Sequence, residues 1–526
     1  MKRILGKIAV LPIKMLGGMA KLLFHRMGIM CVLLLLQIAM YAAGILLLRD
    51  SRIFGYIRMV FTVLSVLAVV WIVGSKSNPG YKMGWIILVL ALVPFGSLAY
   101  LLLGGNRMSP FNQRRLRTME RRMRQHLGDE CERSRSLASL LGEDAGCMAR
   151  YLEKTAWCPV YGNTDVKYYP LGDDCYQDIL DALHGAERYI FIEYFIIEEG
   201  KLWNSVVDIL EEKAAQGVEV RVIYDDVGSM FTLPAGYPHK LEKKGIQCRV
   251  FNRLVPILSL RQNNRDHRKY MIIDGKVAFT GGINMADEYI NVKPRFGHWK
   301  DSAIRLEGDA VWSMTVSFLS MWDFTRNEEE RFTPFHPEPA HGGAEGYVQP
   351  YHDCPWDEEP VGQTVYLNLI NRAKQYVYIT TPYLIIDYSL TMALTSAAKS
   401  GVDVRIITPH IPDKKTVFEV TRAYYEELLE AGVQIFEYEP GFIHSKNFVV
   451  DDLYATVGTV NLDYRSMFLH FENGVVLYDT PSVADIRDDF LDTQTRCLMV
   501  TETECRLVPW YRKLFRSILK VFAPLL

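Results

Sequence analysis

The feature that most restricts what this chain can fold into is a pattern, H-x-K-x-x-x-x-D, that occurs twice. The first copy is His267, Lys269, Asp274 and the second is His444, Lys446, Asp451. A glycine and an asparagine follow each at matching distance, Gly281 and Asn284, then Gly458 and Asn461, so every equivalent pair is 177 residues apart. One such pattern arises by chance in roughly one chain in thirty of this composition; two in a shared register do not. The chain is therefore read as two copies of one unit.

Local physics makes the motif a site. Side chains alternate along a strand, so His267 and Lys269 share one face, as do His444 and Lys446. Met271–Ile273, Asp274–Gly275 and Val277–Phe279 read as a hairpin with a D-G turn, and Val449–Val450, Asp451–Asp452 and Tyr454–Val457 repeat it with a poorer turn pair. The glycines after each hairpin let backbone approach a ligand closely, and Asn284 and Asn461 offer amide donors. Two such units facing one another assemble two imidazoles, two ammonium groups and two amides around one anion.

From about Val166 the pattern alternates strand and helix. Strands are expected at Arg188–Ile197, Val218–Asp225 and Cys248–Phe251, with helices at Leu202–Gln216 and ending at Leu241–Lys244. Tyr376–Thr380, Leu390–Ser400, Val402–Thr408, Tyr424–Ala431 and Val433–Tyr438 repeat the order. AAQGVEVR (Ala214–Arg221) against AAKSGVDVR (Ala397–Arg405) shows the duplication outside the motifs. This predicts an α/β fold of two α/β/α sandwich domains, 151–330 and 347–526, with mostly parallel sheets. The Glu-, Pro- and Gly-rich stretch up to Gly346 (residues 331–346 in particular) reads as a linker.

The N-terminal fifth differs in kind. Residues 1–26 carry Lys2, Arg3, Lys7, Lys14, Lys21 and Arg26 among apolar residues, a pattern shared by an interfacial amphipathic helix and a solvated basic tail. Three apolar runs succeed them, 27–48, 54–74 and 84–104. The first is uncharged, long enough to cross a hydrocarbon core of ~30 Å, and lacks a small-residue cleavage site, so it reads as an anchor. Asn78–Pro79–Gly80 turns the chain between the other two, and Pro94 kinks the third without preventing insertion. Then come Arg107, Arg114, Arg115, Arg117, Arg121, Arg122 and Arg124, which by the positive-inside rule place the rest of the chain in the cytoplasm. The basic N-terminus asks for the same side, and three crossings forbid it: either residues 1–26 lie outside, or one run does not span. The expectation is a multi-pass protein of the cell membrane with cytoplasmic catalytic domains. Residues 105–150, polar and helical in character, read as a basic connector whose arginines touch anionic headgroups or face water. Trp510–Phe522 is a basic amphipathic tail that lies on a bilayer or packs on its own domain.

Composition narrows the rest. A chain of 526 residues with net charge −2 is no polycation, which counts against nucleic acid as partner. Nine scattered cysteines, with no C-x-x-C, form neither a disulfide framework nor a zinc site. No H-E-x-x-H, nucleotide loop or EF-hand occurs, so neither cofactor nor metal is expected.

The paired motifs resemble those of the phospholipase D superfamily. Ile192–Glu193–Tyr194, Gly217–Arg221, Asp225–Ser229, His298–Asp301 and Gly458–Ser466 look like the bacterial cardiolipin synthases within it, over roughly residues 150 to 526 and the hydrophobic pair before them. The resemblance implies two pseudo-symmetric phospholipase D-like domains behind an N-terminal transmembrane region, and one active site formed by both motifs. It marks His267, Lys269, Asp274, His444, Lys446 and Asp451 as catalytic, with His267 the nucleophile and His444 the general acid/base. Asn284 and Asn461 would bind the substrate phosphate, and Asp301 and Glu472 orient the histidines; Asp274 and Asp451 would brace the site and not touch substrate. It further implies phosphatidyl transfer between two phosphatidylglycerol molecules in the bilayer, giving cardiolipin and glycerol through a phosphohistidine. The alternatives are a hydrolase releasing phosphatidic acid, a transferase using another alcohol or phosphatidylethanolamine, a nuclease, and an inactive lipid-binding scaffold. Oligomeric state is not legible in the sequence.

Overall fold

The structure, a computed structural model, describes residues 52–91, 96–97, 100–101, 110–128, 131–254, 260–326, 328–338, 343–357 and 359–525, with two single positions before them. The basic N-terminus, all but those two positions of the apolar run 27–48, and Pro94 lie outside the described residues. The chain divides into two units, residues 1–107 with 254–262, and 108–253 with 263–526.

In the first unit, helices Arg52–Gly74 and Pro79–Ala91 form a hairpin. Proline suits a first helical position, and the Asn78 side chain accepts from the Gly80 amide at 2.9 Å, so N-P-G starts a helix as well as turning the chain. Ile72, Trp85 and Val89 pack together, while Met59, Val63, Val66, Leu67, Val70 and Val73 are exposed. Among the described residues, no helix is long and apolar enough to cross a membrane.

The second unit contains both motifs. Its first half supplies strands β1 (Thr164–Tyr169), β2 (Tyr189–Tyr194), β3 (Glu219–Asp225), β4 (Gln247–Phe251), β5 (Tyr270–Ile273), β6 (Val277–Gly281), β7 (His298–Lys300) and β8 (Ala303–Gly308). The second half supplies β9 (Tyr347–Asp353), β10 (Tyr376–Thr380), β11 (Asp403–Pro409), β12 (Gln434–Tyr438), β13 (Gly441–Ile443), β14 (Asn447–Val450), β15 (Tyr454–Gly458), β16 (Glu472–Tyr478) and β17 (Cys497–Met499). One sheet runs β1-β8-β6-β5-β2-β3-β4 and the other β9-β16-β15-β14-β10-β11-β12-β17. The orders match strand for strand, with β17 added at one edge. Within these two sheets, among the described residues, only β2/β3, β3/β4, β10/β11 and β11/β12 are parallel. The expectation of mostly parallel sheets is thus corrected: each motif hairpin joins its sheet antiparallel, and β8 and β16 extend the meander. The αβ turn at Gly217 and Gly401 is the same in both halves. Each glycine sits at φ near +90°, and the next amide (Val218, Val402) closes on the carbonyl of Lys213 or Ala397, the helix stop that an L side chain disfavours.

The helix Val311–Arg326 is buried from Val311 to Asp323 and lies in a hydrophobic core containing residues of both halves, including Phe191, Ile272, Trp322, Val449 and Val475. Val483, Ile486 and Phe490 of the corresponding helix Pro481–Gln494 enter the same core. One core therefore serves both sheets, which fixes the halves against one another.

The connector and the linker are both tied into this core. The connector forms helices Pro110–Leu127, Cys131–Leu141 and Glu143–Thr155, and the first buries Leu116, Met119, Met123 and Leu127 in that core. Arg122 pairs with buried Asp323 and lies 4.2 Å over Phe332, while Arg115 lies 4.4 Å over Phe324, so these two arginines serve the protein interior. Arg114, Arg117, Arg121 and Arg124 form the outward stripe. The linker is likewise not loose. Phe332 and Phe335 are buried, and Glu330 takes both guanidinium nitrogens of Arg221; residues 339–342 lie outside the described residues.

Candidate active site

Two short pairings between the halves build the site. β13 runs parallel to β7, Ile443 opposite Lys300, and the His444 amide donates to the Lys300 carbonyl at 2.7 Å. In the equivalent place Asp266 bridges Phe471, and the His267 amide donates to the Phe471 carbonyl at 2.9 Å. Each motif histidine is therefore bonded to the residue just before an acid of the opposite half. His267 Nδ1 lies 2.9 Å from Glu472 Oε2, and His444 Nδ1 lies 2.6 Å from Asp301 Oδ2. Thr459 donates to the same Glu472 oxygen, and the Ser302 amide donates to Asp301 at 2.9 Å. Asp225 fixes the approach to His267: it accepts from the Gly228 and Asp266 amides and pairs with Arg265 at 3.0 Å. Burial, the largest cause, raises its carboxyl to about 7.

The electrostatics follow from burial. His267 and His444 are 6% and 8% exposed, Lys269 and Lys446 0% and 1%. Burial, against the pull of Glu472, lowers His267 to about 3; burial and the Lys446 charge lower His444 to about 4. Burial raises the Glu472 and Asp301 carboxyls, but the partner histidines outweigh it and hold both below the ordinary range. In each pair the proton sits on Nδ1 and the charge on the carboxylate, which turns the Nε2 lone pair away from the carboxylate. Lys446 Nζ also lies 2.8 Å from His444 Nδ1, yet one ring nitrogen cannot both donate to Asp301 and accept from Lys446. The carboxylate contact takes the proton, and Lys446 is held by the His444 carbonyl, as Lys269 is by that of His267 at 2.8 Å. Burial lowers Lys269 to about 8 and Lys446 to about 7; Asp301 acts on Lys269 and Glu472 on Lys446, so charges of both halves share one field.

The remaining motif residues have other work. Asn284 takes the Ile196 amide on Oδ1 at 3.1 Å and donates to the Tyr289 hydroxyl at 2.6 Å, leaving one N–H; Asn461 is buried with Oδ1 unpartnered among the described residues. Gly281 and Gly458 serve a neighbouring strand and not a ligand: a Cβ there would come within 2.3 Å of the Ser302 carbonyl oxygen or 2.5 Å of that of Asn473. Asp274 and Asp451, expected to brace the site, each close the far end of their strand. Asp274 accepts from the Glu187, Arg188 and Tyr189 amides, all at 2.8 Å, and Asp451 from those of Lys374, Gln375 and Tyr376. Both aspartates adopt positive φ in the hairpin turn. The amides on Asp274 are more buried than those on Asp451, so water replaces the carboxylate less well. Asp274→Ala is expected to lose about 3 kcal/mol of stability and Asp451→Ala about 1 kcal/mol in denaturant unfolding, with turnover per folded molecule within about three-fold of wild type.

The site also holds residues that the motifs do not reveal. His470 packs 5.5 Å from the His267 ring and 3.6 Å from Glu472 Oε1, with neither ring nitrogen hydrogen-bonded among the described residues. It stands two residues before Glu472, and that short separation was the available signal. His267, His470 and Glu472 have ligand atoms within 4.8 Å of one another and could hold a metal ion. Phe195 meets His267 edge-on at 5.0 Å, and Tyr289 and Trp299 each lie 5.6 Å from His444. Asn473 accepts from the Lys269 amide at 3.1 Å, tying the second half to the first motif.

The family described as "Cardiolipin synthase, PLD-like domain" matches residues 179–293 and 366–493, one match on each half, and "Phospholipase_D-nuclease N-terminal" matches residues 63–105. The chain is 32% identical over 504 residues to a cardiolipin synthase of Alkalihalophilus pseudofirmus, covering 95% of this chain and 100% of that one. It is 48% identical over 380 residues to an uncharacterized protein of Streptococcus mutans, covering 72% of this chain and 82% of that one. A phosphatidylserine synthase of Haemophilus influenzae shares the fold, with a TM-score of 0.53 at 14% identity over 68% of this chain and 93% of that one. With both halves matched separately, a relative matched along nearly the whole chain and both motifs complete, the chain belongs to the phospholipase D-like cardiolipin synthase family and is a phosphatidyltransferase.

Proposed function

We propose that the protein transfers a phosphatidyl group from one phosphatidylglycerol to a hydroxyl of a second, giving cardiolipin and glycerol reversibly. The observation that carries this reading is the crossed bracing, which gives two imidazoles of opposite halves one tautomer within one buried site that also holds Lys269 and Lys446. His267 Nε2 attacks phosphorus, the P–O bond to glycerol breaks, and His444, which takes up a second proton on Nε2 when the phosphodiester anion binds, gives that proton to the departing alkoxide. The second lipid's hydroxyl then attacks the phosphohistidine and returns its proton to His444. Lys269, Lys446, Asn284 and Asn461 take the non-bridging oxygens and the charge that develops on them. The two lysines supply positive charge that a divalent ion would otherwise bring, so a chelator is expected to leave the rate within about two-fold. The exposed apolar face of Arg52–Gly74 and the arginine stripe of Pro110–Leu127 support a membrane setting with the catalytic halves on its cytoplasmic side.

Purified protein in phosphatidylglycerol vesicles should yield cardiolipin and glycerol in equal amounts; phosphatidic acid as sole lipid product would make it a hydrolase and defeat the reading. A second expectation comes from the lysines. An oxyanion binds their charged forms, so the affinity of tungstate, a tetrahedral dianion, is highest below pH 7 and falls as Lys446 (about 7) and then Lys269 (about 8) lose their protons. Its inhibition constant should rise at least about ten-fold between pH ~6.5 and ~8.5. A flat profile would mean that the lysines keep their charge throughout.

A further inference from the structure

The last helix, Trp510–Phe522, has an apolar and a basic face. On the surface of a folded body such a helix normally turns its apolar face inward. Here the basic face is inward. Arg512 and Arg516 both donate to Glu419, Lys513 reaches Glu426 at 2.9 Å, and Lys520 reaches Glu427 at 3.3 Å. These acids stand on the helices Lys415–Arg422 and Tyr425–Glu430. Leu507, Trp510, Tyr511, Leu514, Phe515 and Ile518 face outward, each between 47% and 76% exposed. Their spacing keeps them in one stripe of roughly 700 Å², above the ~300–600 Å² of the largest patch on a typical monomer. Rolling the helix to bury the stripe would break every one of those ion pairs, so the outward setting is built into the fold.

Charge says what covers it. The helix itself carries Arg512, Lys513, Arg516 and Lys520 and no acid. Arg506, Arg512, Lys513 and Lys520 edge the stripe, each side chain more than a third exposed, beside acids of which Glu426, Glu427 and Glu430 are exposed as well. Long basic side chains flanking an apolar stripe reach anionic headgroups while their stems lie along the acyl boundary, an environment that a second copy of the same face does not offer. Trp510 and Tyr511 are the residue types that settle at headgroup level. We propose that Trp510–Phe522 lies in the headgroup–acyl boundary of an anionic bilayer with its apolar stripe inserted. The turn after it, Ala523–Leu525, packs on the helix Tyr464–Phe468, which starts three residues beyond Asn461. The inserted helix therefore holds the second motif's half against the membrane. The choice of an anionic lipid rests on the cardiolipin reading; the quenching measurement does not.

The test uses the full chain in phosphatidylglycerol-containing vesicles whose lipids carry bromine along the acyl chains. The fluorescence difference between wild type and Trp510→Phe isolates this residue among nine tryptophans. The expected difference spectrum is blue-shifted and quenched most by shallow bromines, matching an interfacial helix about 5–10 Å deep. Leu514→Glu combined with Phe515→Glu should abolish the quenching. It should also raise the KM for phosphatidylglycerol diluted in zwitterionic lipid by about ten-fold, with kcat in detergent micelles and the melting temperature unchanged. Unquenched, water-like emission overturns the proposal. So does blue-shifted but unquenched emission that disappears on dilution, since a second copy would then cover the stripe. Quenching without cardiolipin formation would uphold the insertion and defeat the assigned reaction, and the two failures are thus separable.

Discussion

His267→Ala is expected to reduce phosphatidyl transfer by at least about 10⁴-fold, roughly 5 kcal/mol of lost transition-state stabilisation, and to form no phosphoenzyme. His444→Ala should lose as much with phosphatidylglycerol, for a different reason. Its nucleophile is intact, but glycerol must leave as an unprotonated alkoxide. Replacing glycerol by p-nitrophenol, which leaves without a proton, should therefore restore the first step alone in His444→Ala. A labelled phosphoenzyme then accumulates, because no base remains to activate the acceptor hydroxyl. The two variants, equal in steady state, separate in a single turnover, and this decides which histidine attacks. Residual transfer of about a tenth in either variant would remove that residue from the chemistry. Label accumulating in His267→Ala and absent from His444→Ala would exchange the roles.

What the sequence made legible, and what it hid, divides along a physical line. Strands and helices that recur in both halves were readable, because a period of two or of 3.6 leaves its mark locally. Val311–Arg326 was not, since a helix buried on all sides has no polar face to reveal its period. The parallel-sheet expectation failed because alternating strand and helix describes only β2–β4 and β10–β12; where the motif hairpin attaches is a tertiary choice. In the connector, arginine content concealed that Arg115 and Arg122 stack on aromatic rings while Arg114, Arg117, Arg121 and Arg124 face outward. The resemblance supplied Asp301 and Glu472 as acids near histidines but not the pairing. Nor did spacing: Gly281 and Gly458 are 177 residues apart, while their neighbours across the strand, Ser302 and Asn473, are 171 apart. His470 was overlooked although it stands two residues before Glu472.

The crossed pairing makes the second large prediction. Asp301 lies in the same half as His267 and Glu472 in the same half as His444, yet the structure pairs Asp301 with His444 and Glu472 with His267. Glutamine at position 472 can offer its amide N–H to His267 Nδ1, which moves the ring proton to Nε2 and occupies the attacking lone pair. In the serine-protease triad the equivalent change costs ~10⁴, and Glu472→Gln is expected to lose about 10³–10⁴-fold in kcat/KM with the fold retained. His444→Ala supplies the background in which the partners can be told apart, since with a p-nitrophenyl leaving group it performs only the His267 step. There Glu472→Gln should slow phosphoenzyme formation by nearly its full factor, because it acts on the nucleophile. Asp301→Asn should slow it by less than about three-fold, because the imidazole it orients is already gone. If Asp301→Asn were the damaging change and Glu472→Gln the silent one, each acid would serve the histidine of its own half, and the crossing of the halves would have no part in the chemistry.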